Sequence, residues 1–431
     1  MARAKKEAAL TPEERLQAAL VPDWEWPYKL PENWCWTYFK SISIIQTGKK
    51  DANYGSDEGK YPFFTCAAEP IRCHGYSFDC RAILLAGNGD INNISRYNGK
   101  FEAYQRTYVV KIAEPLCFDY IFYWFKYRWF DFNKGKMFGT AIPYIRLGNL
   151  QEFPTPIPPL VEQQRIVDRI ESLFAKLDES KEKAQAVLDS FETRKAAILH
   201  KAFTGELTKK WRKSANTRWV YKKIKDCCKL GSGGTPSRKV PDFYKGDIPW
   251  IKTGEIEWND IYDTEEKITQ SAIDNSSARC YKPGVVLVAM YGMGVTRGKA
   301  SILRVQAATN QAVCVLEPQS ALLYNRYLLY YFMRNYWDIR EKAVGGNQLN
   351  LSLTIIKELN IEIPPIDEQV EIVQILDDLF AKEKQTKEAA EAVLDQIDLM
   401  KKSILARAFR GELGTNDPSE ESAVELLKQL I

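Results

Sequence analysis

Two short loops carry the residues best suited to hold an anion. Thr47-Gly48-Lys49-Lys50 and Gly233-Gly234-Thr235-Pro236-Ser237-Arg238-Lys239 combine glycine-rich backbone with Lys or Arg. Exposed backbone N–H groups and cationic side chains together bind phosphate oxygens. Neither loop has the G-x-x-x-x-G-K-[ST] spacing of a nucleotide P-loop. Amide and guanidinium side chains lie on neighbouring segments: Asn88, Gln105 and Arg106 in the first half, and Arg297, Asn310, Gln311, Asn347 and Gln348 in the second, where Lys252 and Thr253 are further DNA-binding candidates. Asn and Gln pair with adenine edges and Arg with guanine edges in a DNA major groove. Taken singly, each of these fits an ordinary solvated turn. Taken together, they favour nucleic-acid recognition.

A catalytic constellation is harder to find. The chain has 2 histidines, and no H-E-x-x-H, G-x-S-x-G or G-x-G-x-x-G pattern is present. No N-P-P-Y or D-P-P-Y tetrapeptide of the amino-methyltransferase kind occurs. Pro241-Asp242 with Glu265-x-Lys267 can be forced into a nuclease pattern that charged loops produce by chance. Cys66, Cys73, His74 and Cys80 fall within 15 residues, but their spacing matches no common zinc pattern, so no metal is expected. The 9 cysteines, an odd count without C-x-x-C, read as reduced thiols. MARAKKEAALTPEERLQAAL has no apolar run behind its basic residues, and the longest uncharged apolar run, Gly284 to Thr296, is too short to span a bilayer. A cytoplasmic, non-membrane protein is expected.

What must position the loops is an internal duplication. IPPLVEQQRIVDRIESLFAKLDESKEKAQAVLDSFETRKAAILHKAFTGEL begins at Ile157, and IPPIDEQVEIVQILDDLFAKEKQTKEAAEAVLDQIDLMKKSILARAFRGEL begins at Ile363. They align without a gap at an offset of 206 residues, with 26 of 51 positions identical. Pro158-Pro159 and Pro364-Pro365 stand just before the start of each helix, and Gly205 and Gly411 stand where a helix should stop. Apolar residues recur at 4-3 spacing: Ile166, Ile170, Leu173, Leu177, Ala184, Val187, Phe191 and Ile198, then Ile372, Leu376, Leu379, Ala390, Val393, Ile397, Met400 and Ile404. That period predicts two long helices that bury each other as an antiparallel coiled coil.

The repeats divide the chain into a leader (1–30), a globular unit (31–156), helix one (157–208), a second globular unit (209–362), helix two (363–414) and a tail (415–431). Both globular units run through strand-like stretches to an aromatic-rich helix, which predicts an α/β or α+β, β-rich fold with pseudo-two-fold symmetry. The net charge of +4 hides an uneven distribution: 31–156 carries +3 and 209–362 carries +9, whereas both helices and the tail are acidic. A basic surface beside glycine loops suits a phosphate backbone.

These features together resemble the specificity subunit of type I restriction–modification systems. The resemblance rests on the duplicated IPP-x-x-EQ-x-x-IV…LF-x-K helices ending in AF-x-GEL. It rests also on PENWCWTYFK, GGTPSR…DIPWIKTGEI and the leader LTPEERLQAALVP, and it covers nearly all of 31–413. It implies that each globular unit is a target-recognition domain reading one half of a split double-stranded DNA site. The coiled coil would set the spacing. Two methylation subunits would supply S-adenosylmethionine chemistry and direct adenine methylation, and restriction subunits would bring ATP and Mg. The chain itself would be non-catalytic and hold no cofactor. Ile166 to Ile198 spans roughly 50 Å at 1.5 Å per residue, or about 15 base pairs. Outward helix positions, with Glu162, Gln163, Phe203, Glu368, Gln369 and Phe409 at the helix ends, are the expected partner-docking residues. The alternatives are a coiled-coil scaffold whose ends bind proteins, and an autonomous DNA enzyme with an unrecognised site.

Overall fold

The computed structural model describes residues 10–215, 218–292, 294–345 and 349–431, with no side-chain description at 214 and 215. Seven helices carry the architecture: α1 (Pro12–Ala19), α2 (Phe118–Asn133), α3 (Leu160–Asp189), α4 (Phe191–Phe203), α5 (Asn325–Arg334), α6 (Ile366–Ala408) and α7 (Ala423–Leu430). The chain divides into two compact units. Unit 1 is 1–184 with 392–431, and unit 2 is 185–391. Both boundaries fall inside long helices, α3 and α6, so each unit combines a globular part with portions of both repeats.

Among its described residues unit 1 contains eight strands: β1 (Cys35–Tyr38), β2 (Ser43–Thr47), β3 (Tyr61–Phe64), β4 (Ile71–Cys73), β5 (Phe78–Ala86), β6 (Ile94–Ala103), β7 (Thr107–Ile112) and β8 (Pro154–Ile157). Six form one sheet in the order β2-β7-β5-β6-β3-β4. The segment Ala82–Ala86 is buried throughout, as its unbroken apolar run requires. β1 pairs antiparallel with β8, Cys35 opposite Ile157. That pairing closes the unit and returns the chain to the start of α3. The core joins Trp36, Trp124, Trp129 and Phe153 to Ile166 and Ile170 of α3, Leu405 and Ala408 of α6, and Phe409 just beyond it.

Unit 2 has β9 (Val220–Lys223), β10 (Cys228–Ser232), β11 (Ile248–Ile251), β12 (Asp260–Ile261), β13 (Lys267–Ile268), β14 (Cys280–Tyr281), β15 (Val286–Ala289), β16 (Ala300–Leu303), β17 (Ala307–Thr309), β18 (Val313–Pro318) and β19 (Asn360–Ile363). They form sheets in the orders β10-β18-β15-β16-β12 and β13-β11-β17-β14. β9 pairs with β19 as β1 pairs with β8. Tyr327, Tyr331 and Phe332 of α5 pack with Leu199, Phe203, Ile372 and Leu376.

The aromatic helices repeat more faithfully than their sequences suggest. Tyr120 Oη and Trp124 Nε1 of α2 donate to the carbonyls of Pro156 (2.9 Å) and Pro154 (3.1 Å) on β8. Tyr327 and Tyr331 of α5 donate to Glu362 (2.8 Å) and Asn360 (2.7 Å) on β19. Buried Tyr and Trp need such partners for their polar ends. The ring of Tyr123 meets Phe174, and that of Tyr330 meets Phe380.

The long helices pair antiparallel within each unit. In unit 1, Lys401 Nζ lies 2.6 Å from Asp178 and over the ring of Phe174. In unit 2, Arg194 pairs with Glu383 at 2.9 Å, and Lys387 lies over Phe191. The first helix is not continuous. It breaks at Ser190, whose hydroxyl donates to the carbonyl of Ala186 at 2.7 Å, a back-bond that competes with the helical ladder. The second runs unbroken for 43 residues. Ile166, Ile170, Ala184, Ile372, Leu376, Ala390 and Ile397 are buried, and Leu173, Leu177, Val187, Phe191, Ile198, Leu379 and Ile404 are half-buried. Val393 and Met400 do not belong to the seam: they are 40% and 45% exposed. Leu394 and Lys401, one residue later, are the half-buried positions instead.

Candidate nucleic-acid interface

Loops far apart in sequence converge at one edge of each unit. In unit 1 the turn after β2 meets the turn between β6 and β7. Gly48 N donates to Thr107 O at 3.2 Å, and Gln105 N donates to Lys50 O at 2.9 Å. Gly87 N donates to Arg106 O at 2.8 Å, which adds the Gly87–Gly89 loop to the same edge. Thr47, Lys49, Gln105 and Arg106 are exposed there. A cleft of about 650 Å³ opens beside them, between Thr47, Lys49, Tyr108 and Leu147.

Unit 2 repeats the arrangement. Gly234 N donates to Thr309 O at 2.9 Å, and Asn310 N to Ile251 O at 3.0 Å. The Thr235 hydroxyl donates to the side-chain amide oxygen of Gln311, Oε1, across the two turns. Thr235, Ser237, Arg238 and Gln311 are exposed, while Lys252, Thr253 and Asn310 are half-buried.

This geometry corrects several expectations. The glycines are not free phosphate cradles. A Cβ on Gly48 would lie 1.8 Å from Ala103 O, and one on Gly233 would lie 1.7 Å from Thr309 O. Gly48, Gly233 and Gly234 are buried, and the amides of Gly48 and Gly234 are spent inside the chain. They are glycine because the turns press against neighbouring backbone. Arg238 is not a free reader either. It makes a bidentate pair with Glu266 at 2.9 and 2.8 Å, with its guanidinium 4.0 Å from the Tyr244 ring centroid. Lys252 lies 3.5 Å from the same carboxylate. Gln105 donates to Asp51 at 2.7 Å, and Lys50 lies over Tyr54. The Asn310 side chain accepts from Ala312 N. Arg297 is half-buried and donates to Leu349 O; burial and the neighbouring Arg340 lower its pKa. Asn347 and Gln348 lie outside the described residues.

The expected docking residues at the helix ends are internal. Glu162, Gln163, Glu368, Gln369 and Phe409 are fully buried, and Phe203 is buried to 6% exposure. Glu162 accepts from Trp34 Nε1 (2.9 Å) and the Thr415 hydroxyl (3.2 Å). Glu368 accepts from Trp219 Nε1 (3.0 Å), Thr208 (2.7 Å) and Arg212 (3.0 Å). Gln163 Oε1 accepts from Cys117 N, capping α2, and Gln369 Oε1 accepts from Tyr324 N, capping α5, both at 2.8 Å. The duplicated Glu-Gln pair is therefore an internal clamp. It ties a helix start to the opening of its own unit and to the chain just past the other repeat.

Sequence reasoning also missed one element. Phe138 and Tyr144 close a hairpin by exchanging backbone bonds of 2.9 Å, and the Asn88 backbone bridges to Tyr144. Nothing in Phe138–Tyr144 has a strand or helix period, so no signal marked it. Among the described residues, no group of three or more His, Cys, Asp or Glu side chains could hold a metal ion. No helix among them is long and apolar enough to cross a membrane.

A family model described as the type I restriction modification DNA specificity domain matches residues 31–189 and 216–393. The chain is 27% identical over 398 residues to the EcoDI type I restriction enzyme specificity subunit of Escherichia coli, covering 86% of each protein. It is 26% identical over 292 residues to the EcoKI specificity subunit of Escherichia coli K12, covering 64% of this chain and 61% of that one. Among solved structures, an HsdS subunit from Thermoanaerobacter tengcongensis superposes with a TM-score of 0.63 at 18% identity, covering 90% of this chain and 100% of that one. That last likeness is one of fold.

Proposed function

The chain belongs to the type I restriction–modification DNA specificity family, and from that membership we propose how its two units divide the work of DNA recognition. Each unit reads one half of a bipartite duplex target. The carrying observation is that both units bring sequence-distant turns into one exposed polar edge, Thr47, Lys49 and Arg106 in the first and Thr235, Ser237 and Gln311 in the second. The +9 charge on 209–362 supports phosphate contact around the second edge. The antiparallel helices set the separation between the half-sites.

Two methylation subunits dock on the helices. With the Glu-Gln clamps and both phenylalanines buried, docking falls to the outward faces. There α6 leaves Val393, Leu399 and Met400 exposed, Leu399 at 68%. Apolar groups on a helix surface mark such contacts. The chain positions DNA and is not itself catalytic. Methyl transfer to adenine draws on S-adenosylmethionine held by the methylation subunits, and translocation and cleavage draw on ATP and Mg held by the restriction subunits.

The test is equilibrium binding of the chain with its methylation subunits to target and scrambled duplexes across a salt series. Preference for the target by about 10³-fold or more, with affinity falling steeply with salt, is expected. Equal affinity for both duplexes overturns the reading. Removing one heptad from each long helix shortens the spacer by about 10 Å. The unread gap should then shrink by about 3 base pairs.

A further inference from the structure

The backbone pair that closes the hairpin missed by sequence reasoning recurs in unit 2. Phe138 and Tyr144 exchange backbone bonds in unit 1, and Val344 and Asn350 do so in unit 2 at 3.0 Å. The two pairs stand 206 residues apart, the offset of the duplicated helices. Each pair is seated on the loop leaving an equivalent strand. Ile145 N donates to Gly87 O after β5, and Leu351 N donates to Met290 O after β15. Each is followed at once by a short helix, Leu147–Gln151 or Leu353–Lys357.

In unit 1 the hairpin carries a distinctive surface. Residues 138–142 are all exposed, Ile142 at 61%. Arg146, also exposed, lies with its guanidinium 3.9 Å from the Phe138 ring centroid and donates to Tyr144 Oη at 3.4 Å. No carboxylate pairs with Arg146 among the described residues. The hairpin is braced: Gly89 N donates to Pro143 O at 2.8 Å, and the Asn88 backbone bridges to Tyr144. It therefore stands beside Asn88, and beside Arg106 through the Gly87 amide.

We propose that hairpin 138–144 is a sequence-reading element of unit 1, with Arg146 contacting the edge of a guanine and Ile142 the apolar surface of a neighbouring base. This rests on the reading of unit 1 as a duplex-DNA recognition unit. A guanidinium stacked on an aromatic ring has already lost much of its freedom, and its planar fork matches guanine O6 and N7. The flanking Ile142 and Phe138 find complementary surface in a groove, on thymine methyls, and gain nothing against phosphates. In unit 2, Ser352 stands 206 residues after Arg146 and caps its short helix instead. The same position thus carries different chemistry in the two units.

The test uses the complex with methylation subunits and a duplex panel in which every target position is permuted. Arg146→Ala should lose about 5- to 150-fold discrimination at one base pair of one half-site, with the other half-site read as before. Arg146→Lys, lacking the planar fork, should not restore it. Ile142→Ser should weaken discrimination at an adjacent position. Because both side chains are exposed, thermal unfolding of each variant should match the wild type. A uniform loss on all duplexes with a shallower salt dependence marks a phosphate contact and overturns the proposal, as does unchanged selectivity. A wild-type complex that cannot tell target from scrambled duplex instead overturns the DNA reading itself.

Discussion

Glu162 and Glu368 occupy equivalent places and meet different electrostatics. Glu368 has Arg212 at 3.0 Å, whereas the donors hydrogen-bonded to Glu162 are the neutral Trp34 and Thr415. Burial raises the Glu162 pKa above the usual carboxylate range, outweighing its hydrogen bonds and the pull of Arg165. A raised folded pKa means that the folded state holds the proton longer, so unit 1 loses stability as pH rises through that value. Glu162→Gln should flatten the pH dependence of unit 1 unfolding above the ordinary glutamate pKa of about 4.3 and leave its melting point at neutral pH unchanged or higher. A lower melting point there contradicts this account. Glu368→Ala removes the shared acceptor of Arg212, Thr208 and Trp219 and should cost unit 2 about 1–3 kcal/mol in denaturant titration. Neither role was legible from sequence. A glutamate in a helix's first turn reads as solvent-facing, and the partners of Glu162 lie 128 and 253 residues away. The glycine loops were found for the wrong reason. Gly48→Ala and Gly233→Ala should push their turns off Ala103 and Thr309, lowering DNA affinity while circular dichroism stays near wild type. Unchanged affinity would show that the turns can relax.

At the level of elements, sequence period served best where packing is apolar. The aromatic helices and the strands leading to them were legible because their runs of Phe, Tyr, Val and Ile match what is buried. The seam register slipped at Val393 and Met400 because Glu383, Lys387 and Lys401 fill inward positions of α6 through ion pairs and ring contacts, which hydrophobicity does not report. The latches between α2 and α3 and between α5 and α6 are paired but unequal. Tyr123 donates to Glu171 at 3.4 Å, whereas Tyr330 makes a close bond to Asp377. Tyr330→Phe should therefore destabilise unit 2 by about 1–2 kcal/mol, and Tyr123→Phe should cost unit 1 less than about 0.5 kcal/mol. Equal losses in chemical denaturation would contradict the difference in geometry.

For the whole molecule, the duplication visible in the long helices and the aromatic-rich segments extends to the internal bonding of the Glu-Gln pairs and to the backbone pairs Phe138–Tyr144 and Val344–Asn350, which similarity between the halves did not reveal. Geometry there is held by backbone carbonyls and polar pins, which many different side chains can satisfy. Unit 1 is the discontinuous one. Arg165 makes a bidentate pair with Glu420 at 2.7 Å, Ala423 N donates to Asn33 O, and α7 packs against α1. Deleting 415–431 should remove hydrogen-exchange protection from 31–184 and leave 218–391 protected. Equal loss in both regions would deny the units their separate cohesion. The same discontinuity sets an order on the ribosome. Every residue of unit 2 has been synthesised once Glu391 emerges, whereas unit 1, whose first segment precedes it, waits for residues 392–431. The unit whose first segment is made before the other is finished after it, and in the interval its helix start at Glu162 is without its Thr415 partner.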